Sequence, residues 1–335
     1  MLKRNKLGLN GSKFEKLRPH KYDSNTYKQN EENVFYFKSI KLAFLFSYYK
    51  VDIKNAGLIS KDDSFIVFSK NGNKISIKQL ANFKFNIDYV FTILNSDIAK
   101  VTYSNSEYIL LTLNNINFKV TSLSNLAVLY EIFVQNIYNV NPSINNIIVI
   151  DIGMNVGAAT LYFANQSFTE KVYGFEPFPE TYNEAFSNVK LNESIVDKVV
   201  LFNKGVSSVT EQRTIYQYES GLLSASTINS DENGGKKNGE KIIIDLISIT
   251  DLLDNIKKNH PLNKIMLKID CEGEEYSIFE SLSKTEYLNN VCSIVVEWHE
   301  YGPEKIKAVL NKFNFQYFEV KDAYFNAGII YAFKS

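Results

Sequence analysis

The chain has 335 residues, 45% of them hydrophobic, so it is long enough to bury one large core or two smaller ones. Its 37 Lys and Arg residues balance 37 Asp and Glu residues, which leaves no overall positive field to attract nucleic acid or an anionic membrane. Two cysteines, Cys271 and Cys292, are too few for the disulfide framework of a typical secreted protein, and we expect a cytoplasmic location.

The first 49 residues contain a polar segment followed by an apolar one. Residues 1–30 are polar and basic, which predicts a loose arm, and no apolar run of a secretory signal follows the basic residues. Residues 33–49 have helical spacing, but Lys38 and Lys41 interrupt them and they fall short of the roughly 20 residues of a membrane span. A buried helix is predicted here, with an interfacial helix as the alternative and no transmembrane segment.

Residues 31–120 alternate short aromatic and β-branched runs with turn sequences, which predicts a small α+β unit built on antiparallel strands. Asn71 and Gly72 favour a tight turn, and the stretch from Tyr103 to Tyr108 predicts a second hairpin. This unit contains no cluster of His, Cys or acidic residues. We therefore expect it to serve packing or substrate shaping, and its aromatic residues could supply an interface in a homo-oligomer.

The pattern changes at Ser122, where a helix with Ser124 as its N-cap is predicted. Beyond it, strand-like runs alternate with helical ones, which predicts an α/β domain over residues 121–335 with a mostly parallel sheet and helices on both faces. The predicted strands are 147–151, 171–176, 198–203, 242–246, 264–270 and 293–298, followed by an antiparallel edge at 316–320 and 328–333. The glycine-rich, charged segment 229–240 predicts a mobile loop.

Ligands of an open parallel sheet bind beyond the carboxyl ends of its strands. The first predicted strand of this domain ends at Asp151 and leads into Gly153, Asn155 and Gly157, which allow a ligand to approach the backbone ahead of a helix N-terminus. A dinucleotide fingerprint requires glycine where this loop has Asn155, and Asp151 would repel a pyrophosphate by roughly 1 kcal/mol at 4 Å in water. S-adenosylmethionine, which carries ammonium and sulfonium groups and an adenosine, fits this loop better than a nicotinamide dinucleotide.

The next strand ends at Glu176, about 20 residues after Gly157, the separation at which an acidic residue binds both ribose hydroxyls of an adenosine cofactor. Pro177 follows it, and Phe178 can stack on or flank the adenine. We expect Asp151 and Glu176 to sit at the strand ends rather than in the core.

Together with two further strand ends, these stretches resemble the motifs of a known family. The chain resembles the FkbM family of S-adenosylmethionine-dependent methyltransferases over about residues 125–300, in the stretches VIDIGMNVGAATLYFA, YGFEPFPETYNEAFSNVKLN, IMLKIDCEGEEYSIFESL and IVVEWH. The resemblance implies a Rossmann-like class I methyltransferase fold with a seven-stranded sheet, and O-methylation of a hydroxyl on a sugar, a glycan or a small metabolite. It departs from the family at Met154 and Cys271, where alanine and valine are common, and it leaves residues 1–120 uncovered.

The resemblance also implies that the turn with Gly205, Val206 and Ser207 runs past the adenine of the cofactor. We further expect Ser224 and Ser226 on a loop near the cleft, where substrate contact and ordinary loop solvation are equally acceptable roles.

The last two strand ends supply candidate catalytic residues. A hydroxyl acceptor must lose a proton, and His299 is the first candidate for the general base because an imidazole has an ordinary pKa near 6.5. Asp270 is the rival base, and Glu272 and Glu297 could assist. These four residues also offer oxygen and imidazole ligands, so a divalent metal such as Mg²⁺ is an alternative, although no ligand spacing demands one and no metal ligand is assigned.

Two functions from other classes stay open. A nicotinamide-dependent oxidoreductase would bind its dinucleotide at the same strand ends, but Asn155 and Asp151 disfavour it. A non-catalytic adenosine-binding or scaffold protein would use the same loop without transferring a group.

Overall fold

The computed structural model describes residues 58–59, 65–67, 73–76, 87–94, 96–105, 107–217, 240–322 and 325–334. Several expectations lie outside the described residues: the arm 1–30, the helix 33–49, Asn71 and Gly72, Ser224 and Ser226, and residues 229–239 of the predicted loop. The chain divides into two compact units, Met1–Tyr130 and Glu131–Ser335. No helix in the described part of the chain is long and apolar enough to cross a membrane.

The first unit contains two three-stranded antiparallel sheets among its described residues. Its elements are β1 (Leu58–Ile59), β2 (Phe65–Val67), β3 (Lys74–Ser76), α1 (Ile87–Leu94), β4 (Ala99–Ser104), β5 (Ile109–Leu113) and β6 (Ile116–Val120). The hairpin predicted at Tyr103 to Tyr108 is confirmed, because Ser104 faces Ile109 across the β4–β5 ladder. The Asn105 side chain accepts hydrogen bonds of 2.8 Å within this turn.

The helix predicted after Ser122 is α2 (Leu123–Phe133), which begins two residues earlier than a cap at Ser124 allows. The Ser122 hydroxyl oxygen accepts a hydrogen bond from the Asn125 N–H at 3.2 Å. Ser122 is therefore the N-cap, and Ser124 lies in the first turn.

The second unit is built on a seven-stranded sheet, as predicted. In spatial order its strands are β15 (Gln316–Lys321), β16 (Ala327–Phe333), β14 (Val291–His299), β13 (Ile265–Ile269), β7 (Ile147–Ile152), β8 (Thr169–Phe175) and β9 (Val199–Phe202). The five strands from β14 to β9 run parallel, whereas β16 pairs antiparallel with both β14 and β15. The predicted bounds of β7, β8, β13 and β14 agree with the structure to within two residues.

The helices of this unit bury their apolar faces against the sheet. They are α3 (Ala158–Ala164), α4 (Pro179–Lys190), α5 (Ile249–Asn259), α6 (Glu275–Ser283) and α7 (Glu304–Lys312). Helices α5, α6 and α7 share one core cluster with β7, β13 and β14. Strands β7 and β13 are buried along their whole length, which explains their nearly continuous apolar sequences in the centre of a covered parallel sheet.

One predicted strand belongs elsewhere. The run 242–246 is part of β12 (Glu240–Ser248), which pairs with β10 (Gly205–Ser207) and β11 (Glu211–Gln217) in a separate three-stranded sheet. Ile244 is buried in a small core of this sheet, whereas its neighbour Ile243 is 60% exposed. Such alternation is typical of a sheet with one solvent face, so this run cannot be a covered central strand.

Candidate functional site

The polar residues predicted at four strand ends come together at one edge of the seven-stranded sheet. Strands β8, β7, β13 and β14 are consecutive neighbours, and Asp151 on β7 faces Lys268 on β13. Two groups of residues result. We name residues 151–157 with 176–178 the glycine-loop half, and residues 270–275 with 297–299 the histidine half.

The glycines of the loop serve its packing against neighbouring backbone. Gly153 and Gly157 have φ of 77° and 80°, in the left-handed region that favours glycine. A Cβ on Gly153 would lie 1.8 Å from the Asp270 carbonyl oxygen, and one on Gly157 would lie 3.2 Å from the Ala185 Cβ. The sequence explained these glycines by close approach of a ligand, whereas the structure adds contact with the loop after β13 and with α4.

Asp151 is fully buried beneath the glycine loop. One carboxylate oxygen lies 3.0 Å from the Lys268 Nζ, and the other accepts a 2.6 Å hydrogen bond from the Thr160 hydroxyl. The Lys268 ammonium also donates to the Gly153 carbonyl at 2.7 Å and lies 3.6 Å from an Asp270 carboxylate oxygen. The expectation that Asp151 stands outside the core is wrong, because this carboxylate is the nearest counter-charge of a buried lysine.

Glu176 is also buried, with 5% of its surface exposed. Its carboxylate accepts hydrogen bonds from the Asn155 N–H at 3.1 Å and from the Phe178 N–H at 3.2 Å. Burial raises the pKa of this carboxyl group to about 7, although the two backbone hydrogen bonds act to lower it. The expectation that Glu176 lies outside the core is wrong as well. Its side chain joins the glycine loop to the segment after β8.

The segment after β9 lies near Pro177 and also reaches the histidine half. Gly205 begins β10, and a Cβ there would lie 3.3 Å from the Pro177 ring. Val206 is buried in the main core, and the buried Ser207 hydroxyl donates a 2.6 Å hydrogen bond to Glu274. The stretch predicted as a turn is therefore a short buried strand.

The histidine half is organised around the His299 imidazole. Its Nδ1 lies 3.1 Å from an oxygen of the fully buried Glu275 carboxylate, and the His299 backbone N–H donates to the same oxygen at 2.9 Å. The opposite ring nitrogen, Nε2, lies 3.8 Å from carboxylate oxygens of Glu272 and Glu297 and 4.0 Å from one of Asp270. Three carboxylates thus surround one imidazole nitrogen at ion-pair distance.

This crowding changes the protonation of the group. Burial acts to lower the pKa of His299, but the hydrogen bond and charge of Glu275, with the charges of Asp270 and Glu272, raise it to about 9. Burial and then the Asp270 charge raise the pKa of Glu297 to about 8. The surroundings therefore favour the positively charged form of the imidazole, and Glu297 holds its proton more tightly than an ordinary carboxyl group does.

Two residues at the centre of the site were not predicted from the sequence. Lys268 interrupts the apolar run of β13, and a charged residue inside a buried strand is the signal that could have identified it. Glu275 is the second of two glutamates at the start of α6, where acidic residues ordinarily complement the helix dipole, so its sequence carried no comparable signal.

Asp270, Glu297 and His299 satisfy the distance requirement for a shared cation, because one ligand atom from each lies within 4.8 Å of the others. The imidazolium of His299 already places a positive charge among these oxygens. As in the sequence analysis, no metal ligand is assigned.

The sequence of the second unit matches an established family. Residues 151–320 match the family model described as the methyltransferase FkbM domain. The chain belongs to the FkbM methyltransferase family. This match covers both halves of the site, from Asp151 through His299, and about half of the chain.

Two curated relatives are also methyltransferases. The chain is similar to methyltransferase sdnD of Sordaria araneosa, with 26% identity over 195 residues, 51% of this chain and 74% of that protein. Methyltransferase 1 of Beauveria bassiana (strain ARSEF 2860) is 24% identical over 178 residues, 50% of this chain and 70% of that protein.

Two solved structures are similar to part of this chain. The crystal structure of methyltransferase FkbM from Methylobacillus flagellatus KT matches 56% of this chain with a TM-score of 0.39 and 13% identity. The matched region spans 44% of that chain, less than half of its length. Magnesium protoporphyrin IX methyltransferase from Synechocystis PCC 6803, solved with bound SAM, matches 62% of this chain and 77% of its own, with a TM-score of 0.33 and 10% identity.

Proposed function

We propose that this FkbM protein is an S-adenosylmethionine-dependent O-methyltransferase that acts on a hydroxyl group of a sugar, a glycan or a small metabolite. The observation that carries the proposal is the contact between the two halves of the site. Gly153 of the glycine loop packs directly on the Asp270 carbonyl, so a methyl donor at the loop and an acceptor at the histidine half would be neighbours. Proximity of this kind is the main requirement for an in-line methyl transfer.

The chemistry of the site fits the methyl donor better than a dinucleotide. The carboxylates of Glu176 and Asp270 flank the glycine loop, whereas the buried Asp151 carboxylate is paired with the Lys268 ammonium beneath it. Such a surface attracts the sulfonium and ammonium groups of S-adenosylmethionine and repels a pyrophosphate. A nicotinamide-dependent oxidoreductase is disfavoured for this reason.

Each part of the cofactor has candidate residues. Glu176 would accept hydrogen bonds from the ribose hydroxyls, since each of its oxygens keeps a further lone pair beyond its backbone contact. Asp151 would act through Lys268 to fix the loop backbone. The remaining cofactor-binding candidates are Gly153, Asn155 and Gly157 in the loop, Pro177, Phe178 and Gly205 around the adenine, and Asp270. Val206 and Ser207, predicted from the sequence to lie near the adenine, are not retained, because Val206 is buried in the main core and the buried Ser207 hydroxyl is bonded to Glu274.

The histidine half would handle the acceptor. When bound, S-adenosylmethionine supplies a methyl group whose bond to sulfur breaks with its electron pair left on sulfur, as an oxygen lone pair forms the new bond and the hydroxyl proton leaves. Glu297 would accept this proton in its ionised form, which the charge of His299 helps to maintain and which burial makes a stronger base than an ordinary carboxylate. Asp270 would orient the hydroxyl.

His299 would act as a cation rather than as the base. The sequence argument for a basic His299 depended on an ordinary imidazole pKa, whereas its carboxylate surroundings raise that pKa to about 9. The charged ring would hold the carboxylates in position and offset their mutual repulsion.

The test is methyl transfer to an unidentified acceptor. The purified chain is incubated with S-adenosylmethionine labelled in its methyl group and with glycan and metabolite fractions of a cell extract, with and without EDTA. Label in an alkali-stable product, shown by mass spectrometry to have gained one methylene, supports the proposal. Calorimetry separates the alternatives: binding of NADH but not of S-adenosylmethionine supports the oxidoreductase, and binding without transfer to any fraction supports the adenosine-binding scaffold. Loss of transfer in EDTA would overturn the assignment of no metal.

A further inference from the structure

We propose that Glu275 is a positioning residue of this site, whose buried carboxylate directs the His299 imidazole so that a proton on Nε2 faces the carboxylates of Asp270 and Glu297. Its part in catalysis rests on the proposed function. The effect of Glu275 on His299 does not depend on that function, and it can be measured in the free protein.

The Glu275 carboxylate links two segments of the site. One oxygen contacts both the His299 Nδ1, at 3.1 Å, and the His299 backbone N–H, at 2.9 Å. The other oxygen accepts a hydrogen bond from the Gly273 N–H at 2.7 Å. One side chain therefore fixes the end of β14 relative to the loop after β13, and these are the segments that carry Glu297 and Asp270.

The Glu275 carboxylate also determines which nitrogen of the His299 imidazole carries a proton. A carboxylate accepts hydrogen bonds and cannot donate them, so Nδ1 must carry a proton to bond Glu275. With Nδ1 held in this way, the ring plane is fixed and Nε2 points to the three oxygens at 3.8–4.0 Å. A proton on Nε2 then makes the ring an imidazolium, which these oxygens favour.

Glu275 is more deeply buried than the other carboxylates near the His299 ring. Glu275 is fully buried, whereas the carboxylate side chains around Nε2 are 29–39% exposed. A buried carboxylate interacts with a neighbouring cation through a lower dielectric than an exposed one does. Glu275 is therefore the strongest single influence on His299, in agreement with its hydrogen bond and charge being the largest factors that raise the pKa of the ring.

The other groups near the ring come from every adjacent segment. Tyr276, next to Glu275 on α6, donates a hydrogen bond from its hydroxyl group to the His299 carbonyl oxygen. Further titratable or charged groups of these segments are Lys268 on β13, Asp270, Cys271, Glu272 and Glu274 in the loop after it, Glu297 on β14, and Glu300 and Tyr301 after β14. The Cys271 thiol lies 3.8 Å from the Glu275 oxygen that accepts from Gly273.

The experiment is a nuclear magnetic resonance titration of the histidine side chains. The chain has three histidines, His20, His260 and His299, so the His299 signal is assigned by its loss in His299→Gln. We expect its midpoint above the ordinary 6.5 in the unsubstituted protein. In Glu275→Gln, which keeps the shape but removes the charge, we expect the midpoint to fall by at least one pH unit. The control is Glu280→Gln, an exposed glutamate on the same helix, which should leave it unchanged.

Two results would overturn the proposal: a His299 midpoint near 6.5 in the unsubstituted protein, or an unchanged midpoint in Glu275→Gln. If Glu275→Gln does not fold, Glu275→Asp shortens the side chain and so weakens its contact with the His299 Nδ1. The midpoint should then be lower than in the unsubstituted protein, and an unchanged midpoint would overturn the proposal. Where transfer is measured, the alkaline limb of its pH profile should move to lower pH in Glu275→Gln. A merely structural role would lower the rate equally at all pH values. The titration uses no methyl donor, so a failure of this proposal is distinct from a failure of the proposed function. Calorimetry with S-adenosylmethionine tests the proposed function separately.

Discussion

The two halves of the site use acidic residues in different ways. In the glycine-loop half, Asp151 and Glu176 are buried, and each carboxylate oxygen has a partner at 2.6–3.2 Å. In the histidine half, the carboxylate side chains of Asp270 and Glu297 are about 30% exposed and stand 3.8–4.0 Å from the His299 Nε2. Close, buried contacts fix geometry, whereas longer contacts within reach of solvent leave lone pairs for a substrate. The glycine-loop half is therefore suited to fixing the position of the loop, and the histidine half is suited to exchanging a proton.

The largest effect should follow from removing the proposed base. Glu297→Gln should reduce methyl transfer by roughly 100- to 10,000-fold, the usual contribution of general base catalysis, and leave cofactor affinity unchanged. Labelled transfer and calorimetry measure the two quantities. Glu193→Gln, an exposed glutamate before β9, is the matched control. Full activity in Glu297→Gln would remove the functional distinction between the two halves.

A smaller effect on stability should follow from changing Asp151. Asp151→Asn leaves the Lys268 ammonium buried without its nearest counter-charge, and we expect the free energy of unfolding to fall by about 3 kcal/mol. Urea denaturation measures this value. The control Asp197→Asn, at an exposed position, should change it by less than about 0.5 kcal/mol. Equal stability of the two variants would mean that Asp151 is not a structural counter-ion.

Cofactor affinity should respond to Glu176 and to pH. Glu176→Gln should weaken S-adenosylmethionine binding about tenfold, because an amide NH₂ would face one of the backbone N–H groups that the carboxylate now accepts from. In the unsubstituted protein the affinity should fall as pH drops below about 7, where Glu176 becomes protonated. Calorimetry at several pH values tests both, with the exposed Glu180→Gln as control. A pH-independent affinity would argue against a ribose contact through this carboxylate.

The smallest effect should come from Gly157. Gly157→Ala forces a side chain into φ of 80°, which should cost about 1 kcal/mol of stability in urea denaturation. If the φ angle is responsible, the cost should persist when the neighbouring Ala185 is replaced by glycine. A cost that disappears in that background would instead identify the 3.2 Å contact with Ala185 as the cause.

The main architecture could be predicted because its signals are local. Strands β7 and β13 are almost continuously apolar and each is followed by a helix, which is the pattern of a covered parallel sheet. The three-stranded sheet of β10, β11 and β12 was harder to predict from the sequence. Strand β11 begins with the polar residues Glu211, Gln212 and Arg213, which hide its strand character, and its pairing with β12 joins segments distant in sequence.

The site could be predicted in its residues but not in their environments. The sequence identified Asp151, Glu176 and His299 because they follow strands, yet burial and charge depend on neighbours contributed by other strands. The pKa of His299 depends above all on Glu275, which is 24 positions away in the chain. A raised pKa of this kind is a property of the fold, and no local pattern reports it.

The close approach of Gly153 to the Asp270 carbonyl also bears on how such an enzyme can change its substrate. A side chain at position 153 would not fit against this carbonyl, so the two loops touch through their main chains rather than through side chains of the acceptor pocket. Replacements that reshape the acceptor pocket can therefore accumulate while the alignment with the methyl donor is inherited unchanged.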